Sequence, residues 1–236
     1  MTEILGKISS EESLGLMDGP GIRYVVFMQG CKLRCLYCHN PETWDINGNS
    51  QTVSPNQLIE KINKYKSYFG EQGGVTFSGG EPLLQPEFLL ECLKLCKQNK
   101  IHTVLDTAGV GFGDYKEILE YVDLVILDVK AVDDEEYKKI TGKEIKYFKE
   151  FLTECQKQNK TLWLRQVIVP TINDNEESVL KLKQFALSIK NVEKIELLPY
   201  KTIGVHKYKS LNLPSRLQDL PEMNENKCKE LELLLK

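Results

Sequence analysis

The chain has 236 residues, with 31 lysines and arginines against 34 aspartates and glutamates and a net charge of −3. That near balance argues against a broad nucleic-acid-binding surface and against an acidic tail. The start, MTEILGKISSEESLGLMDGPG, lacks a basic stretch followed by an apolar h-region, and no apolar run reaches membrane-spanning length. The expectation is a cytoplasmic chain with no membrane and no nucleic-acid partner.

In chain order, residues 1–21 read as an N-terminal extension leading into the first strand. Its DGPGIR stretch, Asp18 to Arg23, is either a plain turn or the lining of an approach to the site. A first apolar run, IRYVVFMQ (22–29), leads directly into QGCKLRCLYCHNPETW (29–44). Ser54 then caps a helix whose first position is Pro55, with Leu58, Ile62 and Tyr65 at helical spacing. Further short apolar runs are GVTFSG (74–79), HTVLDT (102–107), DLVILDVK (123–130), LWLRQVIV (162–169) and VEKIELLP (192–199), each separated from the next by amphipathic stretches. Asp174 with Glu177 reads as a capping box ahead of Val179, Leu182, Phe185 and Ile189. Residues 200–236 form a C-terminal loop and helix, with Cys228, Leu231 and Leu235 on one stripe; within them 207–222 is irregular and has no legible role. No repeat, low-complexity tract or linker divides the chain, so 1–236 reads as a single domain.

Strand and helix alternating six times predict an α/β fold with a right-handed parallel array. Periodicity alone does not separate an open doubly wound sheet from a barrel. The unusual residues do: Cys31 to Cys38, SGGEP (78–82), Asp106 with Thr107, Asp128 with Lys130, and Pro199 with Tyr200 all fall at carboxyl ends of strands. A barrel collects its chemistry on that face, whereas an open sheet concentrates it near one switch point.

Seven cysteines without an export signal do not predict a disulfide framework. Cys31, Cys35 and Cys38 are separated by spacers of three and two residues, so a tight loop aims them at one centre. A zinc site would want a fourth ligand, no cysteine pair supplies it, and His39 is adjacent to Cys38 and would strain a closed tetrahedron. Three thiolates suit a [4Fe-4S] cluster with one iron left open, since ordinary ferredoxin clusters take four. Cys92, Cys96, Cys155 and Cys228 fall in helical patterns and read as small core hydrophobes. Arg165, inside a strand, is expected to point into the barrel toward an anion, because an unpaired buried cation is costly. Asp128 and Lys130 share one side of their strand, either as ligand contacts or as a solvated strand end. SGGEP by itself is an ordinary turn or a ligand loop; the cysteine loop on the same face favours the ligand.

CKLRCLYCHN has the C-x3-C-x-aromatic-C form of radical S-adenosylmethionine (SAM) enzymes, with Tyr37 as the aromatic. With DGPGIRYVVFMQGC, NPETWD, VTFSGGEPLLQPEF, LDTAG, LDVK and VEKIELLPY, the chain resembles the glycyl-radical-enzyme activases of that family over nearly its whole length. It lacks any cysteine from 39 to 91, where several activases carry a ferredoxin-like insertion, and so resembles the compact formate-lyase type. The resemblance implies a partial (β/α)6 TIM-like barrel of the radical SAM type, whose lateral gap admits a protein loop. It implies that Cys31, Cys35 and Cys38 hold the catalytic [4Fe-4S] cluster, and that SAM's amino and carboxylate groups chelate the open iron. The SAM contacts it implies are Tyr37, Cys38 and His39 near adenine, Gly79, Gly80 and Glu81 toward the amino group, Asp128, Val129 and Lys130 at the carboxylate, together with Asp106, Arg165 and, near the ribose, His206. A monovalent cation, Na+ or K+, is suggested among Asp106, Thr107 and Asp128.

The implied activity is reductive cleavage of SAM to a 5′-deoxyadenosyl radical that takes a hydrogen atom from a glycine of a partner protein. The implied partners of a monomeric chain are pyruvate formate-lyase, as protein substrate, and a flavodoxin or ferredoxin as electron donor. Rival readings are a radical SAM enzyme acting on a small molecule or another glycyl-radical enzyme, and an iron-sulfur electron carrier. A carrier would have no need of polar residues at four further strand ends. One departure is Ala108 in DTAG, where related activases often have asparagine.

Overall fold

The computed structural model describes residues 3–112 and 114–236; Met1 and Thr2 of the expected N-terminal extension lie outside the described residues. The chain runs through β1 (Gly6–Gly15), β2 (Arg23–Met28), β3 (Gln51–Val53), α1 (Pro55–Asn63), β4 (Gly74–Gly79), α2 (Pro86–Gln98) and β5 (His102–Thr107). It continues through α3 (Tyr115–Glu120), β6 (Leu124–Asp128), α4 (Asp134–Thr141), α5 (Lys146–Lys157), β7 (Leu162–Ile168), α6 (Glu176–Leu187), β8 (Val192–Pro199), α7 (Val205–Ser210) and α8 (Glu225–Leu233). One sheet of eight strands holds them in the order β3-β1-β2-β4-β5-β6-β7-β8. From β2 to β8 every neighbouring pair is parallel. These six strands are the six apolar runs of the sequence, and the sheet they build is an open partial barrel.

The N-terminal stretch departs from expectation. It is no mere extension: β1 pairs antiparallel with β2 on one side and with β3 on the other. Its sequence, GKISSEESLG, is polar because only one side of this outer ribbon is covered, with Ile8 buried and most of the later residues exposed or half-exposed. β3 pairs only with Gly6 to Ile8, so the rest of β1 has one open edge; polar, charged residues there are how open sheets avoid pairing with other chains, and the same polarity conceals the strand from a search for apolar runs.

Local chemistry accounts for the helix ends. Ser54 and Gln57 form a reciprocal capping box at the start of α1, with Pro55 in the first turn. α4 opens on Asp133, whose carboxylate accepts from the Glu136 amide at 2.8 Å, and acidic residues fill its first turn and Lys138 and Lys139 its last. It closes on Gly142 at φ +71°, the left-handed position glycine fills without strain. The cap of α6 lies one residue beyond expectation: Asn175 receives the Ser178 amide, while Asp174 holds the preceding turn through Thr171. α8 covers β8, burying Cys228 and Leu231.

Strand alternation separates two faces. Val75, Phe77, Leu105, Val125, Leu127 and Leu164 point outward into the main core beneath the helices. Thr76, Ser78, Val104, Asp106, Ile126, Asp128, Trp163 and Arg165 occupy the alternate positions on the inner face. There Val104, Leu124 and Ile126 pack with Trp163 as a small apolar cluster. The segment after β1 folds onto this face, the Asp18 carbonyl accepting from Thr76 Oγ1 at 2.7 Å and the Met17 carbonyl from Arg165 at 2.6 Å. Arg23 of the DGPGIR stretch is fully buried and donates to Thr76 Oγ1, to the carbonyls of Pro20, Gln72, Val75 and His102, and to Nδ1 of His102. Arg23 therefore braces the amino ends of β2, β4 and β5.

Candidate active site

Backbone bonds knit two loops at the carboxyl end of the sheet. The Gly80 amide donates to the Met28 carbonyl at 2.8 Å, and the Glu81 amide to the Gly30 carbonyl at 2.7 Å. A Cβ on Gly80 would stand 2.3 Å from the Gly30 oxygen, and one on Gly79, at φ +108°, 2.3 Å from the Met28 nitrogen. Only glycine permits that approach. The cysteine loop is then held from three sides. Gln29 donates to the carbonyls of Glu42 and Asp45 at 2.9 and 2.7 Å, fastening the NPETW segment. Amides of Arg34 and Leu36 donate to the Thr141 and Ile140 carbonyls in the last turn of α4. Tyr208 donates to the Cys38 carbonyl at 3.0 Å, and Lys207 pairs with Glu42 and Asn40.

Cys31, Cys35, Cys38, Tyr37, His39, Gly79, Gly80, Asp106, Thr107, Asp128 and Lys130 line one cavity of about 190 Å³. Larger clefts lie elsewhere, one of about 610 Å³ bordering α4 and α5 and lined mainly by lysines and carboxylates, another of about 490 Å³ between α6, β8 and α8 with a partly apolar wall, but neither contains a cysteine. Chemistry singles out the smaller one. Lys130 Nζ sits 2.6 Å from Asp128 and 5.6 Å from the Tyr37 ring centroid. Burial acts to lower the Lys130 pKa, yet Asp128, Tyr37 and Cys35 together hold it well above its ordinary value. It is a fixed cation. Asp106 accepts from Ser78 at 2.8 Å, and burial reinforced by the Asp128 charge pushes it up to about 6.

Glu81, Val129, Arg165 and His206 are not on this wall. Glu81 lies behind it, its carboxylate accepting from Thr107 Oγ1 at 2.5 Å, the Ala108 amide at 2.9 Å and the Leu83 amide at 3.1 Å. Burial, partly offset by those bonds, raises it to about 7. Arg165 finds its anion in Glu196 at 2.7 Å, and burial's downward pull on its pKa is outweighed by Asp106 and Glu196. The Val129 amide donates to the Arg165 carbonyl. His206 is exposed on α7. Sequence reasoning missed Leu33, Asn40 and Val167 on the wall, and Lys207 and Tyr208, which fasten the loop from the far end of the chain. Only folding brings the last two close.

Residues 25–182 match the family described as the Radical SAM superfamily. The chain is 53% identical over 234 residues, 99% of its own length and 98% of the relative's, to a pyruvate formate-lyase-activating enzyme of Clostridium pasteurianum. It is 42% identical, over 95% of its length and 93% of the relative's, to one of Staphylococcus epidermidis. The chain belongs to the radical SAM superfamily and, within it, to the pyruvate formate-lyase-activating enzyme family. Solved structures agree on the fold. A domain of a pyruvate-formate lyase-activating enzyme from Bacteroides vulgatus superposes with a TM-score of 0.56 at 24% identity, covering 69% of this chain and 92% of that one. SuiB of Streptococcus suis, solved bound to S-adenosylmethionine, gives 0.63 at 15% identity, covering 86% of this chain and 44% of that one.

Radical SAM membership implies a [4Fe-4S] cluster and SAM, and the residues present fit both. Burial pushes the Cys35 thiol up to about 11, raises that of Cys31 further, and raises that of Cys38 as well. Three half-buried thiols this reluctant to ionise want a strong positive charge among them, which iron supplies. Among the described residues no three His, Cys, Asp or Glu side chains converge as they would on a single ion. A cluster takes each thiolate on a different iron, so its three cysteines need not converge on one point. Among the described residues no helix is long and apolar enough to cross a membrane. The other four cysteines are free, buried and in helices, as expected of core residues.

Proposed function

We propose that this chain activates pyruvate formate-lyase by generating a glycyl radical on it, acting as one radical SAM domain. Full-length identity of 53% and 42% to enzymes so named is the observation that carries the reading. When bound, the cluster and SAM supply a 5′-deoxyadenosyl radical that takes the hydrogen atom from the partner's glycine. The chain's own residues bind and orient. Cys31, Cys35 and Cys38 hold the cluster, and Lys130, kept charged and steered by Asp128, pairs with the SAM carboxylate. The close-packed backbone at Gly79 and Gly80 meets the amino group, and Tyr37 and His39 border adenine. Glu81 sets the wall by tying β4's loop to the end of β5. Arg165 places positive charge behind Asp106 and Asp128, beside Val129. His206, exposed on α7 beside Lys207 and Tyr208 that bind the cysteine loop, is assigned to the ribose by the family resemblance. The mutual repulsion of Asp106 and Asp128 supports a monovalent cation near them, with Thr107 as a further oxygen donor. A flavodoxin or ferredoxin supplies the electron, and the chain works as a monomer in the cytoplasm.

Anaerobically reconstituted protein, incubated with SAM, reductant and pyruvate formate-lyase, is expected to give a glycyl-radical EPR signal on the lyase and to switch on its activity. SAM cleavage without that signal would favour the small-molecule reading; no SAM cleavage would favour the electron carrier.

A further inference from the structure

Lys32, Arg34 and Lys130 bring positive charge to the cysteine loop, and the mechanism above uses only Lys130. Lys130 is balanced by Asp128 at 2.6 Å, and Lys32 is exposed, its ammonium 3.5 Å from the centroid of the Phe112 ring. Arg34 differs from both. It immediately precedes Cys35, and its side chain folds back along the loop, where Nη1 donates to the Cys31 carbonyl at 2.8 Å and to the Leu33 carbonyl at 2.7 Å. The Trp44 ring covers the guanidinium, whose carbon stands 4.6 Å from the ring centroid. Trp44 is held in turn: its carbonyl accepts from the Cys31 amide at 3.2 Å, and its ring meets Tyr208 edge-on with centroids 5.7 Å apart. The Tyr208 hydroxyl donates to the Cys38 carbonyl, and the Arg34 amide donates to the Thr141 carbonyl at 2.8 Å, so this packing is anchored on α7 and on α4. Every one of these partners is neutral, and none cancels the charge. One accepting carbonyl belongs to Cys31 and the next residue is Cys35, which fixes the guanidinium beside two of the three cluster cysteines.

We propose that Arg34 serves as a fixed positive charge that eases reduction of the bound cluster. The proposal rests on the assignment of the cluster to Cys31, Cys35 and Cys38. The electron from the external reductant makes the cluster more negative, and a cation held beside it, shielded from water on one side by an indole, favours that state. Arginine suits the task because its guanidinium stays charged and its plane stacks on a ring while its edge donates. Arg34 is not on the cavity wall, so it acts on the cluster through its field rather than on SAM by contact.

The test compares wild type, Arg34→Gln, Arg34→Lys and a chain with citrulline placed at 34, which keeps the shape and the donors of arginine without its charge. Each is reconstituted anaerobically, assayed for iron and sulfide, and titrated redox-wise by EPR and visible absorption without SAM. The citrulline chain and Arg34→Gln are expected to keep the cluster and to show a reduced-to-oxidised ratio about tenfold lower at a fixed potential, a shift of about 59 mV to more negative values for one electron. Arg34→Lys, which retains the charge, should stay within about twofold of the wild-type ratio. A citrulline chain with the wild-type potential, or an Arg34→Lys protein shifted as far as the citrulline chain, would overturn the proposal and leave the cluster assignment intact. If Arg34→Gln alone fails to assemble, the citrulline chain decides. If both neutral chains lose iron, the charge serves assembly rather than the potential, and the proposal fails. A wild-type chain that assembles no [4Fe-4S] cluster would overturn the cluster assignment itself.

Discussion

Glu81 shows how a single buried carboxyl serves the site without facing it. Its three accepted bonds join the Gly-Gly loop to the start of the segment after β5, and burial lifts its pKa from 4.5 to about 7. A carboxyl whose folded pKa lies above its unfolded value holds its proton more tightly when folded. Its contribution therefore favours folding fully below pH 4.5 and is lost as pH rises through about 7. For the cluster-free chain this amounts to a loss on the order of 3 kcal/mol across that window. Glu81→Gln should remove that slope and, by leaving one amide unpaired, cost about 1–3 kcal/mol at low pH. Denaturant midpoints of both proteins at pH 5 and pH 8 check this; parallel pH profiles would refute it. At Gly80, where a Cβ meets backbone at 2.3 Å, Ala is expected to cost on the order of 2–4 kcal/mol and to impair SAM binding, measured by urea unfolding and by equilibrium binding on the reconstituted protein.

At the scale of elements, the site depends on helix ends as much as on strand ends. The last turn of α4 holds the cysteine loop through two carbonyls, so the conformation of its terminus is transmitted to Cys35. Gly142→Ala finds open space, its nearest neighbour being Arg34 Cβ at 3.8 Å, but must adopt φ +71°. The expected loss is about 1 kcal/mol of stability, with slower cluster assembly as the local sign; iron content against time after reconstitution reads it. Ser54→Ala at the start of α1 removes a cap of similar worth, about 1 kcal/mol, far from the cavity. That variant should unfold more easily yet assemble its cluster at the wild-type rate. If both slowed assembly equally, general destabilisation rather than the α4 tether would be the cause.

For the whole molecule, an open barrel leaves the inner face covered only in part, by the segment after β1. Met17 and Leu16 on that segment are 77% and 70% exposed, beside carbonyls that are firmly bonded to Thr76 and Arg165. The cavity also concentrates charge at some cost: Asp106 and Asp128 repel, and three thiols are kept from ionising. Loading relieves both. Cluster and SAM bind the folded state, so the reconstituted protein with SAM at a hundred times its dissociation constant should gain at least about 2.7 kcal/mol from the nucleotide alone. A raised thermal midpoint on loading, absent from Cys35→Ser, is the measurement; equal midpoints for the two proteins would argue against Cys35 as a ligand.

The six parallel strands, the first helix with its Ser54 cap and Pro55 start, and the three-cysteine loop were all legible in the sequence, because short-range patterning and spacing encode them directly, whereas the reciprocal Gln57 bond at that cap was not read. β1 was not, since a polar strand carries no apolar run, and the cap of α6 was displaced by one residue where Asp174 and Asn175 are both competent. Neither Lys207 nor Tyr208 could be tied to the cysteine loop in advance, being about 170 positions distant along the chain. Residue identity by itself determined which chemistry the chain is equipped for, because ligand type and spacing are local properties. Tertiary structure alone decided that Glu81 and Arg165 lie off the cavity wall, paired with Thr107 and Glu196, because burial and partnership exist only once distant segments have packed together.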